Sequence, residues 1–302
     1  VLKFKAWVNA ARLRTLPLSV SGIIVGAALA GYYGTINYTV FWLAILTTVA
    51  FQITSNFAND YGDGVKGTDN QNRIGPKRAL QSGLLSRKSL KKGIIINVLV
   101  DLVLVIALLF FSFDTNELPW AILFLVLGGL SIWAAIKYTV GESAYGYNGL
   151  GDVFVFVFFG LVSVLGSMFL FIKEVPIASI LPAVSVGLLS VGVLNLNNLR
   201  DHVSDKQSGK NTVVVKMGFE KGKKYHYIIL VSAFMCMFGY VAFTYDNWKN
   251  IICLIAFIPV FLHLLKVKRT NDPVLLDPEL KKLALSTFFM ALLFYFSYHN
   301  FL

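Results

Sequence analysis

The sequence predicts an all-α, polytopic membrane protein with about nine transmembrane helices around a central cavity. Three observations predict it. Apolar runs of 18 residues or more recur along the chain, long enough to cross a bilayer as helices. Of its 302 residues, 56% are hydrophobic and only 14% charged, with a mean hydropathy of +0.68. A soluble domain carries roughly 25% charged residues, so this chain has too little polar surface to cover a water-soluble globule. Finally, the basic residues gather between alternate runs. A β-barrel would instead show segments of about ten residues with alternating polarity, whereas 151–172 and 283–302 are apolar on both parities.

The expected spans are 15–34, 38–59, 93–113, 118–138, 151–172, 176–199, 225–245, 249–266 and 283–301. Residues 1–14 hold Lys3, Lys5, Arg12 and Arg14 but no apolar core. The first span is therefore read as an uncleaved insertion signal. Asn97 and Asp101 lie four apart in the third span and are expected to form an interhelical hydrogen-bonding pair. Gly128–Gly129, Gly160 and Gly166 offer places for close helix approach. Pro182, Gly187 and Gly192 are tolerated in the sixth span if neighbouring helices satisfy the backbone. Cys236 and Cys253 fall inside apolar segments and read as small packing residues. His226, His263 and His299 fall at positions expected to be interfacial.

Loop charge gives the expected orientation. The four basic residues before the first span, eight between spans two and three, Lys137, seven after span six and five after span eight lie on one side. Only Lys173 and Lys249 lie on the other. This asymmetry places the N-terminus in the cytoplasm and the C-terminus outside. It also accounts for the net charge of +11 without any nucleic-acid partner.

Chemistry is expected in the two long loops on the basic side. One cluster reads Asn56-Phe57-Ala58-Asn59-Asp60-Tyr61-Gly62-Asp63, continuing to Asp69. The other reads Asn195-Leu196-Asn197-Asn198-Leu199-Arg200-Asp201-His202-Val203-Ser204-Asp205. Asn59 and Asp63 are four apart, Asn198 and Asp201 three, and Asp201 and Asp205 four. If each segment continues its helix, each set shares one face. Two such faces form a cage of carboxylate and amide oxygens, which suits a hard divalent cation. Arg73, Lys77, Arg78, Arg200 and Lys210 could grip free phosphate oxygens. The set therefore suits a metal-bridged diphosphate better than a bare cation. The plainer alternative is a pair of solvated helix ends neutralised by loop lysines. The repetition of the cluster suggests one domain over 1–302, built of halves near 1–140 and 141–302 with the site between them.

These residues resemble the UbiA superfamily of intramembrane prenyltransferases. Asn59 and Asp63 look like its Asn-x-x-x-Asp motif, and Asp201 and Asp205 like its Asp-x-x-x-Asp motif. Asn59-Asp60-Tyr61-Gly62-Asp63 with Lys66-Gly67-Thr68-Asp69 and Arg73-Ile74-Gly75-Pro76 resembles the branch that acts on 1,4-dihydroxy-2-naphthoate. So do Asn197–Asp201 with Gly209–Thr212, Tyr145–Tyr147 leading to Gly149–Asp152, and Arg12–Pro17. The match runs from about residue 7 to 220. Many members carry an acid four residues after the first motif's Asp. Here that position is Gly67, and the acid comes at Asp69.

The resemblance implies transfer of a polyprenyl group from polyprenyl diphosphate to 1,4-dihydroxy-2-naphthoate, with loss of diphosphate and carbon dioxide. It implies a Mg2+ cofactor held by Asn59, Asp63, Asp201 and Asp205, with Asp60 and Asp69 as further candidates. Asn198, Arg73, Lys77, Arg200 and Lys210 are implied at the substrate. Tyr138 and Tyr147 are candidates to face an allylic cation, and Asp152 and Glu142 to handle the naphthoate hydroxyl proton. The implied setting is the bacterial inner membrane, with the lipid bilayer as a partner. Two other readings stay open here. One is a UbiA-type enzyme with another aromatic acceptor; the other is a cation-coupled secondary transporter, whose polar site would sit nearer the bilayer midplane.

Overall fold

In the computed structural model, described over residues 2–68, 74–75 and 78–298, every regular element is a helix. Helix α1 (Leu2–Ala11) ends at Arg12, whose backbone is left-handed at φ 51°, and a 3₁₀ turn leads into α2 (Leu16–Tyr33). Next come α3 (Tyr38–Lys66), α4 (Arg87–Ser112) and α5 (Leu118–Lys137). A 3₁₀ turn at Tyr145–Asn148 precedes α6 (Gly151–Val155), a π-helix (Phe156–Gly166) and α7 (Ser167–Ile172). The rest is α8 (Ile180–Gln207), the short α9 (Val213–Met217), α10 (Phe219–Phe243), a 3₁₀ segment (Trp248–Ala256), α11 (Phe257–Arg269) and α12 (Asp277–Tyr298).

Among the described residues, nine helical units are long and apolar enough to cross a membrane, as expected from the sequence. Their starts follow local rules. The Asn37 side chain accepts from the Thr39 and Val40 amides, and Ser86 accepts from Ser89, satisfying backbone donors at the first turns of α3 and α4. Pro17, Pro119, Pro182, Pro259 and Pro278 all fall in the first three residues of their α-helices, where a missing N–H costs little.

The helices run past the expected spans at the basic face. Helix α3 reaches Lys66 and α8 reaches Gln207, so both Asn/Asp clusters are helical. Each helix ends only where a left-handed glycine follows, at Gly67 (φ 73°) and Gly209 (φ 73°). The π-helix, with its i→i+5 pattern, carries no periodicity signal in the sequence.

Between lipid-bathed helices, close packing and hydrogen bonds replace the hydrophobic drive. A Cβ on Gly160 would lie 2.6 Å from the Gly187 Cα, so the π-helix and α8 meet backbone to backbone. Gly22 and Gly26 of α2 sit directly against Ser163 and Ser167. A large core joins α2, α7, α8, α10, α11 and α12 through Leu29, Met168, Leu189, Leu230, Phe257 and Phe294. Helices α4 and α5, by contrast, present Ile96, Val103, Ile106, Phe110, Leu123 and Val126 outward. Asn97 and Asp101 do meet another helix: Thr54 of α3 donates to Asp101 at 2.6 Å, and Asn97 donates to Thr54 at 2.6 Å. The histidine expectation needs correction. His226 and His263 are fully buried and 2.9 Å apart between Nε2 atoms, because α10 and α11 pack that face inward. His299 lies outside the described residues.

Candidate active site

Residues 56–66 of the first cluster form the last three turns of α3. Gly62 lets this end press against the loop after α5, since a Cβ there would lie 2.5 Å from the Thr139 Oγ1. Thr139 in turn donates to Asn59 Oδ1 at 3.2 Å and to the Ala58 carbonyl at 3.0 Å. Asp63, one turn on from Asn59, accepts from the Tyr147 hydroxyl at 2.9 Å. Lys66 stands 3.8 Å over the Tyr147 ring. Burial and the adjacent Asp63 charge push the Tyr147 phenol up, so it stays a donor.

Asp60 faces another way. It accepts from Arg12 and from Arg78, the latter at 2.9 Å, and is almost fully buried. The left-handed turn at Arg12 aims that guanidinium back toward α3. Asn56 braces the same turn by donating to the Ala11 carbonyl at 2.8 Å and to Thr15 at 3.2 Å. Asp60 thus holds two arginines at the mouth of the cavity.

On α8, Arg200 forks onto Asp201, with Nε to Oδ1 at 2.8 Å and Nη2 to Oδ2 at 2.6 Å. The same guanidinium donates to Asn197 at 2.8 Å and to Asp277 of α12 at 2.5 Å. Lys210 folds back after the Gly209 turn. Its backbone N–H donates to the Asp205 carbonyl at 2.8 Å, and its Nζ lies 4.0 Å from Asp205 Oδ1. Burial pulls the Lys210 ammonium down, but Asp63 and Asp205 more than offset this, and its pKa is raised. Lys210 is thus held as a cation between the two clusters.

Two cavities meet here. A small polar one, about 20 Å³, is enclosed by Asp63, Thr68, Arg78, Asn197, Asp201, Ser204, Asp205 and Lys210. A large one, about 1200 Å³, opens beside it at Asn59, Asp60, Asp63, Arg200 and Lys210. It then runs between the helices past Phe154, Phe158, Phe159, Val105, Leu108 and Leu170. Tyr138 and Tyr145 line the large cavity, with ring centroids 5.4 Å apart. Burial pushes the Tyr138 phenol up to about 12. The arrangement is a charged, oxygen-rich head on a long apolar channel, suited to a ligand with an anionic end and a hydrocarbon tail.

Among the described residues no three His, Cys, Asp or Glu side chains form a closed metal-ligand set. Magnesium does not require one, since it takes one or two carboxylates together with waters and substrate phosphates. Asp63, Asp201 and Asp205 supply hard oxygens around the small cavity. This donor set fits magnesium.

The expected residues thus divide by place. Asn59, Asp60, Asp63, Tyr138, Arg200 and Lys210 line the large cavity; Asp63, Asp201, Asp205 and Lys210 enclose the small one. Tyr147 joins through Asp63. Asn198 is buried but on neither lining, and so is Asp152, which accepts from Tyr225 at 2.9 Å. Glu142 is exposed. Asp69, Arg73 and Lys77 lie outside the described residues. Sequence reasoning did not place Arg12, Asn197, Tyr145 or Asp277 at the site. For Arg12 the signal was present in the basic Arg12-Leu13-Arg14-Thr15 just ahead of an apolar run.

Fold and site together define a multi-pass membrane protein with a charged, oxygen-rich head on an apolar channel. The model of the UbiA prenyltransferase family matches residues 19–293, and the chain belongs to that family. Over 294 residues, 97% of this chain and 95% of the relative, it is 42% identical to a 1,4-dihydroxy-2-naphthoate octaprenyltransferase of Escherichia coli. A Mycobacterium leprae protein of the same name is 38% identical over 76% of this chain and 75% of its own length. Among solved structures, a UbiA homolog from Archaeoglobus fulgidus bound to DMAPP and Mg2+ has a TM-score of 0.71. It is 13% identical and covers 98% of this chain and 100% of its own; at that identity it speaks for the fold alone.

Proposed function

We propose that this protein is a magnesium-dependent 1,4-dihydroxy-2-naphthoate polyprenyltransferase. It joins the polyprenyl group of a polyprenyl diphosphate to 1,4-dihydroxy-2-naphthoate, releases diphosphate and carbon dioxide, and gives demethylmenaquinol, the reduced form of demethylmenaquinone. The observation that carries this reading is the junction of the two cavities: carboxylates and cations at the mouth, an apolar channel behind. The names of the full-length relatives supply the acceptor.

In this reading Asp63, Asp201 and Asp205 would hold magnesium, with Asn59 and Asp69 as further ligands. When bound, the metal supplies positive charge to the departing diphosphate. Lys210, Arg200 and Arg78 reach the remaining diphosphate oxygens as fixed cations. The channel takes the isoprenoid tail and keeps water from the allylic carbon as its C–O bond breaks. Tyr138 and Tyr145 present ring faces to the positive charge that develops there. The electron-rich naphthoate carbon then forms the new bond, and its carboxyl group leaves as carbon dioxide. Arg12, held by Asp60, is placed to orient the acceptor. Asp152, off both linings, is given no contact with substrate.

The charge asymmetry of the loops supports a site on the cytoplasmic side of a bacterial inner membrane, with the N-terminus inside. The placement of one motif on α3 and its counterpart on α8 supports a single domain of two related halves.

Purified protein in detergent, given 1,4-dihydroxy-2-naphthoate, a labelled polyprenyl diphosphate and magnesium, tests the proposal. The expected result is a magnesium-dependent prenylated product that Asp63→Ala and Asp201→Ala do not form. Diphosphate binding without product would keep the class of donor and reject the acceptor.

A further inference from the structure

A second polar system lies among α8, α10, α11 and α12, its four buried members on neither cavity lining. Asn195 Oδ1 of α8 is 3.1 Å from His226 Nδ1 of α10. His226 Nε2 is 2.9 Å from His263 Nε2 of α11, and His263 Nδ1 is 2.9 Å from Glu279 Oε2 of α12. Lys282 and Lys266 approach Glu279 Oε1 at 2.7 Å and 3.0 Å. The four central side chains are each 2% exposed or less. Lys282 also lines the large cavity. A continuous chain of polar contacts therefore runs from the cavity rim, around the back of the bundle, to α8 one turn before Asn198.

Buried polar groups in a bilayer are costly unless satisfied, so this chain calls for a reason. Hydrogen counting gives it a direction. The Glu279 carboxylate can only accept, so His263 donates from Nδ1. With neutral rings, His263 Nε2 then accepts from His226 Nε2, and His226 Nδ1 is left as an acceptor. Only the Asn195 NH2 can match it. In the arrangement present, Asn195 Oδ1 faces the ring, and its Nδ2 is buried with no partner. Turning the amide over, or adding one proton to the histidine pair, resolves the mismatch. The hydrogen-bonding state of the relay and the orientation of Asn195 are therefore one variable.

We propose that Glu279, His263 and His226 are positioning residues that set the Asn195 side chain and thereby seat the diphosphate-facing side of α8. The inference rests on the reading that Asp201 and Asp205 receive the donor's diphosphate. Asn197, Arg200, Asp201 and Asp205 ride on the same rigid helix, so a shift at Asn195 moves them together. The Arg200–Asp277 bond ties α8 to α12 at one point; the relay provides a second tie between the same two helices.

The test is steady-state prenyl transfer with both substrates varied, and thermal unfolding in the same detergent. The variants are His226→Leu, His263→Leu, Glu279→Leu, Glu279→Gln and Asn195→Leu, with Asp201→Ala as a control. The leucine variants are expected to raise KM for the prenyl diphosphate about tenfold, the order of one hydrogen bond. KM for the naphthoate is expected to stay within about twofold. Glu279→Gln still accepts from His263 and should recover most of what Glu279→Leu loses. Should the buried histidine variants fail to fold, Asn195→Leu carries the same test at the end of the chain. Folded variants with an unchanged donor KM, or a glutamine no better than leucine, would overturn the positioning role. If Asp201→Ala still forms product at the wild-type rate, the reading of the α8 face falls instead.

Discussion

The Tyr147 hydroxyl donates to Asp63 Oδ1 at 2.9 Å, across 84 residues of sequence. This bond joins the loop after α5 to the end of α3 and fixes one carboxylate oxygen of the first motif. Tyr147→Phe removes the donor and keeps the ring under Lys66. Hydrogen bonds to charged groups contribute roughly 1.5–3 kcal/mol, so the rate of prenyl transfer should fall about tenfold to a hundredfold. An unchanged rate would show that Asp63 is positioned without Tyr147.

Asp60 and Asp63 should separate stability from activity. Asp60→Ala removes the carboxylate that Arg12 and Arg78 share, and breaking a buried ion pair on one side costs about 3–5 kcal/mol. Among the described residues Asp63 is in no such ion pair and accepts instead from the Tyr147 hydroxyl. Thermal unfolding should therefore drop further for Asp60→Ala than for Asp63→Ala, while Asp63→Ala abolishes product. Equal melting temperatures would remove the arginine-anchor role of Asp60.

Gly62→Ala tests the contact that aims the first motif. The added methyl would sit 2.5 Å from Thr139 Oγ1 and 2.7 Å from the Thr139 carbonyl carbon. Backbone cannot yield as a flexible side chain does, so overpacking of about 1–3 kcal/mol is expected. The rate should fall with it, because Asn59 and Asp63 move with the helix. A fully active, fully stable Gly62→Ala would mean that the loop adjusts freely.

The buried phenol of Tyr138 predicts an alkaline signature. Burial raises its pKa from 10.0 to about 12. A raised folded-state pKa contributes stability that is complete below the unfolded value and disappears as pH climbs through the folded one. The melting temperature should thus decline between pH 10 and about 12, and decline less in Tyr138→Phe. The same slope in both proteins would show that Tyr138 ionises as freely folded as unfolded.

Chelation supplies a further check. EDTA should stop product formation, and added magnesium should restore it. Asp205→Asn, which removes the negative charge and one of the two oxygens at that position, should require more magnesium for half-maximal rate. An EDTA-resistant reaction would remove the metal from the mechanism.

The transmembrane count and the location of the motifs were legible because both rest on local sequence. Hydropathy marks the spans, and i, i+4 spacing puts Asn59 with Asp63 and Asp201 with Asp205 on shared helix faces. What was not legible depends on contacts between distant segments. The Asp60–Arg12 pair spans 48 residues, and nothing near Asp60 distinguishes it from Asp63. Asp152 sits in a motif-like stretch yet turns toward Tyr225 on α10. His226 and His263 read as interfacial from their flanks, but helix packing places them inside. The π-helix left no trace in the apolar pattern because nearly every residue of 156–166 is apolar.

The channel has two unlike sides. Where α2, the π-helix and α8 meet through Gly22, Gly26, Gly160 and Gly187, there is no room to spread or compress. Across from them, α4 and α5 pack on α3 but turn most of their surface outward. Donor length is therefore gauged against a fixed ruler on one side and a yielding one on the other. Substitutions that enlarge or shorten the channel will be tolerated on α5, at residues such as Phe124 and Leu127, well before they are tolerated among the glycines.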